Sequence, residues 1–375
     1  MKNHSAKYLE QPFEYLKRKN GEAFDSEIVA NWYKARAFVL NKFSHIAFLP
    51  GDVHHFHPIV MVDNECGLML SVVRQLALYA HFLNYNENFP DIKGRKRTSI
   101  TIISNNPNIL DIIQKEEYLC NLPKYCSLTI EDKEPRNKDS YIDIEIEIVK
   151  TCPSISGDFE YLITPDEVKA FCDSHDSQQI FSIDTRRAIW TQRLYYVGSE
   201  IDNLPYEDIH DVERYSLALN IFQYREIRRG ITPLIPKEVK YNTNVIKESL
   251  SNIFCSDCFE TRYKAIEQYY SKSNTKIDNW KTFNSALCMS EHARWVSEKL
   301  IMGYRPLNEQ ERLTDDCLFG EEKTQYRKQL KSKVKDPAHI DICSLSDLLR
   351  IDPDNLKYDS FLMLSIPTII KNERA

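Results

Sequence analysis

The sequence predicts an α/β protein: an open-sheet N-terminal domain, then a helical connector, then a small α-helical domain. Three observations predict it. Apolar strand-like runs alternate with helical periodicity over about residues 31–200, the pattern of an open sheet with crossover helices. Within that region Ile142, Ile144, Ile146 and Ile148 alternate with Asp143, Glu145 and Glu147, as in a strand with one apolar face. After Asp202-Asn203-Leu204-Pro205 the chain turns to amphipathic helical segments. The expected division is an N-terminal extension (1–30), the α/β domain (31–200), a helical connector (201–278) and a terminal helical domain (279–375).

The elements follow in order. Residues 1–30 are polar and mixed, with helical spacing around Phe13–Arg18. Ala37–Leu40 and His45–Pro50 are short apolar elements before Gly51. Asp63-Asn64 is placed to cap a helix through Leu68–Ala80, because a short polar side chain there satisfies free amides of the first turn. Thr98–Ser104 is a β-branched strand bounded by Asn105-Asn106-Pro107, and Asn108–Ile113 resumes helical spacing. Tyr161–Ile163 reads as a strand, followed by a helix capped by Thr164 with Pro165 at its first position. Gln179–Ile183 and Leu194–Gly198 add two more strand candidates. Glu207–Arg229 is a long helix, acidic at its start and basic at its end, stopped at Gly230. Helices at about 243–252 and 258–272 lead to the polar hinge Ser273–Asp278.

Composition narrows the function classes. A formal charge of −6 argues against a dedicated nucleic-acid binder. No run approaches the length of a membrane-spanning helix, and Met1–Tyr8 lacks the apolar core of a signal peptide. The ten cysteines show no disulfide framework, which suits reduced thiols in a cytoplasmic protein. Cys255-Ser256-Asp257-Cys258 is the one C-x-x-C and has no second pair to complete a zinc site. Neither a dinucleotide fingerprint nor a P-loop is present, and no Gly-x-Ser-x-Gly elbow. The cluster Asp52-Val53-His54-His55-Phe56-His57 puts His55 and His57 on one strand face, yet lacks partners at metal-ligand spacing. No metal, no resident cofactor and no catalytic residue is expected.

The most informative stretch is Glu291-His292-Ala293-Arg294-Trp295 through Gly303-Tyr304, followed by His339-Ile340-Asp341-Ile342-Cys343-Ser344-Leu345-Ser346-Asp347-Leu348. On a helix His292, Trp295 and Lys299 share one stripe. An indole beside an imidazole and an ammonium can stack an adenine-like ring and neutralise phosphate. Trp295 can equally fill a small core, and Glu291 and Arg294 can equally form structural ion pairs. Between the motifs, Glu321–Lys335 carries six basic residues, including Arg327 and Lys328, suited to phosphate or to a solvated helix face.

Together these stretches resemble the RyR domain, the helical repeat named after ryanodine receptors and also found in bacterial proteins. The repeat carries [EH]-x-x-W on a helix ending in Gly-Trp or Gly-Tyr. A basic loop follows, then His-Pro-x-Leu-x-x-[Phe/Tyr]-x-x-Leu. His339, Ile342, Leu345 and Leu348 stand at the positions of this second pattern and Tyr358-Asp359 match its close; Ile340 replaces its proline and Leu345 its aromatic, and Arg305-Pro306 follows Gly303-Tyr304 where animal repeats have another aromatic and a glycine. The resemblance covers about residues 279–375 and implies a ligand-binding or docking module. The preceding domain is similar in order to the Rossmann-like regions that accompany such modules.

The resemblance implies a cytoplasmic sensor of a nucleotide-derived signal, with bacterial antiviral defence as its setting. Its expected ligand is a small anionic, adenine-containing molecule. Its expected ligand-binding residues are Glu291, His292, Trp295, Lys299, Tyr304, Arg305, Arg327, Lys328 and His339. A homo-oligomer or a partner effector protein would carry the output. Two other classes stay open: an enzyme acting on a nucleotide or NAD-like substrate, and an assembly module without a small ligand.

Overall fold

A computed structural model of the protein describes residues 26–52, 54–63, 67–84, 98–114, 119, 121–131, 136, 143–155, 160–175, 254–272, 278–333, 335–351, 363 and 366. The expected elements at Phe13–Arg18, Gln179–Ile183, Leu194–Gly198, Glu207–Arg229 and 243–252, and the Tyr358-Asp359 motif, lie outside the described residues.

Helix α1 (Ser26–Phe43) joins the end of the expected extension and the short apolar element Ala37–Leu40 into one helix of 18 residues. Buried Trp32, Tyr33, Arg36, Val39, Leu40 and Phe43 explain why: they recur every three to four residues and form one inward stripe. The sheet then builds from β1 (His57–Met61), helix α2 (Gly67–Tyr79) and β2 (Thr98–Ile103). Two short helices, α3 (Ile109–Ile113) and α4 (Leu122–Tyr125), lead to β3 (Ser127–Ile130). Strands β4 (Ile144–Val149) and β5 (Glu160–Ile163) and helix α5 (Pro165–Ser174) complete it. The expected cap of α5 is present: Thr164 Oγ1 accepts the Glu167 amide at 3.2 Å, with Pro165 in the first turn. Helix α2 is described from Gly67, and Asn64 of the expected Asp63-Asn64 cap lies outside the described residues.

Among the described residues the five strands are all parallel, in the order β3-β4-β2-β1-β5. This is the open α/β sheet that the alternation of elements predicts. Strand β4 fixes the two faces. Ile144, Ile146 and Ile148 are buried on one side, while Glu145 and Glu147 face the other. In register with them, Ser99 donates to Glu145 at 3.2 Å and Thr101 to Glu147 at 3.1 Å. Since the Thr101 hydroxyl donates to a carboxylate, His57 Nε2 must donate to it, at 2.8 Å. A one-residue slip of β4 would put carboxylates into the core, so the register is strongly specified.

The apolar face packs under α2, whose residues from Met69 to Tyr79 are all buried. A helix buried on every side belongs between layers. Here α1 lies along it on one side and a later helix crosses it on another. That later helix belongs to the C-terminal part: α6 (Phe259–Lys272), α7 (Asp278–Ile301), α8 (Glu309–Cys317), α9 (Gly320–Ser332) and α10 (Leu345–Ile351). Val296, Leu300, Ile301 and Met302, with Tyr304 and Ile342, join the same apolar cluster as the sheet and α2. Among the described residues, the sheet and the end of α7 thus share one core, while α6 and the middle of α7 pack in a second cluster with Leu49 and Leu83, and Leu330 of α9 in a third with Leu307 and Ala338.

Buried polar contacts tie the parts together. Arg36 on α1 chelates Asp257 through Nε (3.0 and 2.9 Å) and Nη2 (2.5 Å), and Gln75 on α2 donates to the same carboxylate at 2.8 Å. Asn121, just before α4, grips the end of α7: its amide donates to Leu300 O at 3.0 Å, and its side chain to the carbonyls of Gly303 (3.0 Å) and Tyr304 (2.9 Å).

Candidate functional site

The site is built where α7 ends. Gly303 takes φ +82°. Its amide bonds Leu300 O at 3.0 Å, and the Tyr304 amide bonds Lys299 O at 2.9 Å. This is the Schellman closure, which needs a left-handed residue that glycine supplies without a Cβ penalty. It explains the Gly-Tyr pair in the sequence: the glycine stops the helix and the tyrosine turns inward, buried.

The chain returns past this end through His339. Arg305 N donates to Pro337 O and His339 N to Arg305 O, both at 3.0 Å. His339 then meets Trp295 edge-on, with ring centroids 4.8 Å apart and planes at 76°, and Tyr304 lies 6.3 Å away at 72°. His292 lies nearly parallel to the indole at 6.3 Å. Its Nε2 donates to Cys343 O at 2.9 Å, fastening the second motif onto α7. Lys299 Nζ stands 5.3 Å from the centroid of the Trp295 ring. Trp295 is half-buried and packs against the main core, so it serves both as packing and as surface.

Cationic groups act on His339. His339 Nδ1 accepts the Asp341 amide at 3.2 Å, so the neutral ring carries its proton on Nε2, a donor. Burial pushes the His339 pKa well below its usual value, and Lys331, Lys299, Arg327 and His292 push it further. Burial likewise lowers the pKa of His292. Both rings are therefore neutral donors at neutral pH, set beside fixed positive charges.

Beneath the site runs a buried ion network. Glu291 accepts from Arg262 Nη1 at 2.7 Å and from Arg294 Nε and Nη2 at 2.8–3.0 Å. Arg294 Nη1 also donates to Glu298 at 2.7 Å, and Lys299 donates to Glu298 at 2.6 Å. Burial raises the Glu291 pKa, but Arg294 and Arg262 outweigh it and hold the carboxyl at about 2. Lys299 and Arg294 overcome burial in the same sense at Glu298.

Of the residues expected from the sequence, the structure brings together His292, Trp295, Lys299, Tyr304 and His339, with Arg327 close enough to perturb His339. Three have other surroundings. Glu291 is consumed by the two arginines, which is the structural ion-pair alternative. Arg305 is held by Glu311 (2.6 and 3.0 Å) and Asp336 (2.6 Å), so its side chain braces the hairpin base while its main chain carries His339. Lys328 is exposed on α9. Arg327 itself donates to Asp315 at 2.7 and 2.8 Å. Lys331, lying in the basic stretch but not singled out there, joins the charges around His339. Arg262 and Asn121 carried no signal, because their partners are distant in sequence.

Elsewhere, His55 stacks on His57 at 5.9 Å, and among the described residues no three His, Cys, Asp or Glu side chains are grouped to hold a metal ion. Cys255 and Cys258 are buried free thiols. Burial raises both pKa values, that of Cys258 to about 11, which suits packing and not nucleophilic chemistry. No described helix is long and apolar enough to cross a membrane. No family model matches the chain, and no curated protein or solved structure matches it.

Proposed function

We propose that the protein is a cytoplasmic ligand sensor whose RyR-like C-terminal module binds a small anionic, nucleotide-derived molecule at the Trp295–His339 cluster. One observation carries the reading: a half-buried indole lies between the imidazoles of His292 and His339, with the Lys299 ammonium 5.3 Å from its ring centroid. The indole offers a stacking face for a base, His339 Nε2–H offers a neutral donor, and the ammonium offers attraction to phosphate. The described residues at the cluster include no nucleophile with a base, which supports binding over turnover. The Rossmann-like sheet domain serves as platform, and binding shifts packing or assembly. Antiviral signalling is the setting that the family resemblance suggests.

Calorimetry against ATP, ADP-ribose, NAD and cyclic adenine nucleotides tests it. A stacked base is worth about 1–3 kcal/mol, so Trp295→Ala should weaken the best binder roughly 5- to 150-fold. Lys299→Met should weaken it comparably, whereas Lys328→Ala should change little. No binding tighter than about millimolar, or parent-like affinity in both Trp295→Ala and Lys299→Met, refutes the assignment. The exposed aromatic tip of the α8–α9 hairpin also favours an assembly role, compatible with sensing.

A further inference from the structure

His81 follows the end of α2, and its ring is fully enclosed. Both ring nitrogens meet acceptors. Nδ1 lies 2.9 and 3.0 Å from the two oxygens of the Asp143 carboxylate, and Nε2 lies 2.9 Å from Ala77 O. A carbonyl oxygen only accepts, so Nε2 carries a proton. An ionised carboxylate only accepts, so Nδ1 carries one too. Neutral imidazole has a single N–H, and only the imidazolium has two. The near-equal distances to both Asp143 oxygens fit a delocalised negative charge. The place in the fold helps, since a cation just past the last turn of a helix is favoured by the helix dipole.

The same turn is tied on its backbone side. Ser290 of α7 donates to His81 O, and Arg262 Nη2 donates to the Ser290 hydroxyl at 3.2 Å. Thr98, at the start of β2, donates through Oγ1 to Ala80 O at 2.9 Å and through its amide to Asp143 O at 3.0 Å. Asp143 directly precedes β4. One buried knot therefore joins α2, β2, β4 and α7. Among the described residues, the titratable and charged groups around it are Asp143, then Glu291, His292 and Arg294 on α7, and Cys258 and Arg262 from the start of α6. Glu291 is matched by the two arginines. His292 feels the charge of Asp143 but donates to Cys343 O. The Cys258 thiol donates to Tyr79 O at 3.6 Å. None of these takes the place of Asp143 at the His81 ring.

We propose that His81 is a proton-dependent latch between the sheet and α7, closed while its ring is an imidazolium and released when base removes the second proton. Without that proton the ring has one N–H for two acceptors. Either the buried Asp143 carboxylate loses a donor or Ala77 O does. Removing one side of a buried ion pair is strongly destabilising, so the turn shifts and takes His81 O away from Ser290. Helix α7 carries His292 and Trp295, so its seating on the sheet becomes dependent on pH. The direction is fixed by the proton count: the latch holds at low pH and opens as pH rises. Burial of the neutral His339 ring acts in the opposite direction, and no bound ligand is needed for the latch.

Long-range nitrogen–proton NMR of the full chain with labelled histidines tests the charge state. The His81 signals, identified by their loss in His81→Gln or their shift in Asp143→Asn, should show both nitrogens protonated at pH 7. In Asp143→Asn only one should be. Amide exchange read by mass spectrometry, and corrected for its intrinsic pH dependence, tests the latch. As the His81 signals lose the second proton, exchange over residues 79–84 and 286–292 should rise at least about tenfold, ahead of β1, β2 and β4. Ser290→Ala keeps the ion pair and removes the tie to α7. It should give parental His81 signals, with exchange over 286–292 already raised and flat with pH; this small change keeps the test intact should His81→Gln not fold. A parent ring with unprotonated Nδ1 at pH 7 overturns the proposal. So does exchange in α7 that ignores loss of the proton, or that keeps its full pH dependence in Ser290→Ala.

Discussion

Glu291→Ala gives the sharpest test of whether the centre of α7 is a ligand surface or an ionic core. In the structure its carboxylate serves two buried guanidinium groups, Arg262 at 2.7 Å and Arg294 at 2.8–3.0 Å. Removing it leaves Arg262 with a hydroxyl, Ser290 at 3.2 Å, and Arg294 with Glu298 alone. Breaking a buried pair by deleting one partner typically costs about 3–5 kcal/mol, since a charge is left uncompensated. Titration gives a similar size: moving a carboxyl from 4.5 to about 2 corresponds to about 3 kcal/mol. The folded pKa is depressed, so this stabilisation is present above pH 4.5 and is lost as pH falls toward 2. Urea denaturation at pH 7, followed by tryptophan fluorescence, should show the full loss in Glu291→Ala. At pH 3 the gap between variant and parent should narrow. A loss under about 1 kcal/mol at pH 7, or a gap that does not shrink in acid, refutes the reasoning. Weakened nucleotide binding with parental stability would return Glu291 to the ligand site.

Other expectations follow from neighbouring contacts. Asn121→Ala removes two side-chain bonds to the end of α7 and should cost about 1–3 kcal/mol, read as a lowered midpoint in urea. Gly303→Ala meets no atom within 4 Å of its new Cβ but keeps φ +82°, so it should cost only about 1–2 kcal/mol, from backbone strain. Asp315→Asn weakens the clamp on Arg327 and should raise amide exchange across α8 and α9 while leaving β1–β5 protected. The depressed pKa of His339 works in the opposite sense to that of a paired histidine. The unfolded chain takes up the proton first, so stability falls as pH drops below 6.5 toward the depressed folded value. His339→Gln should flatten that slope, and an unchanged slope in this variant would assign it to other groups.

How much was legible in the sequence depended on the range of each interaction. The alternation in β4 announced both faces of the sheet because its signal lies within six consecutive residues. Thr164-Pro165 announced the start of α5 for the same reason. The stripe His292, Trp295, Lys299 followed from helical spacing, and Gly303-Tyr304 marked the stop. The sequence shows α1 in two pieces, because buried Arg36 interrupts an apolar stripe and its carboxylate partner, Asp257, is distant in the chain. Strand β3, short and flanked by polar residues, carried no periodicity long enough to see. Glu291 and Arg305 have the charge of ligand contacts, and only the positions of Arg262 and Glu311 reveal that they are already engaged.

The Arg36–Asp257 contact also constrains the order in which the chain can mature. Its partners are 221 residues apart, and Gln75 reaches the same carboxylate across 182 residues. While the protein is being synthesised, α1, α2 and the first strands leave the ribosome long before Asp257 does. Until then Arg36 lacks its Asp257 carboxylate, and the face of α2 that meets α7 is without that helix. Burying an uncompensated guanidinium costs several kcal/mol, so the sheet half must wait in a looser state, with apolar surface open to association. Nascent chains stalled before residue 254 should therefore be protease-sensitive across α1 and α2 and depend on chaperones, and protection should arrive only with the C-terminal third.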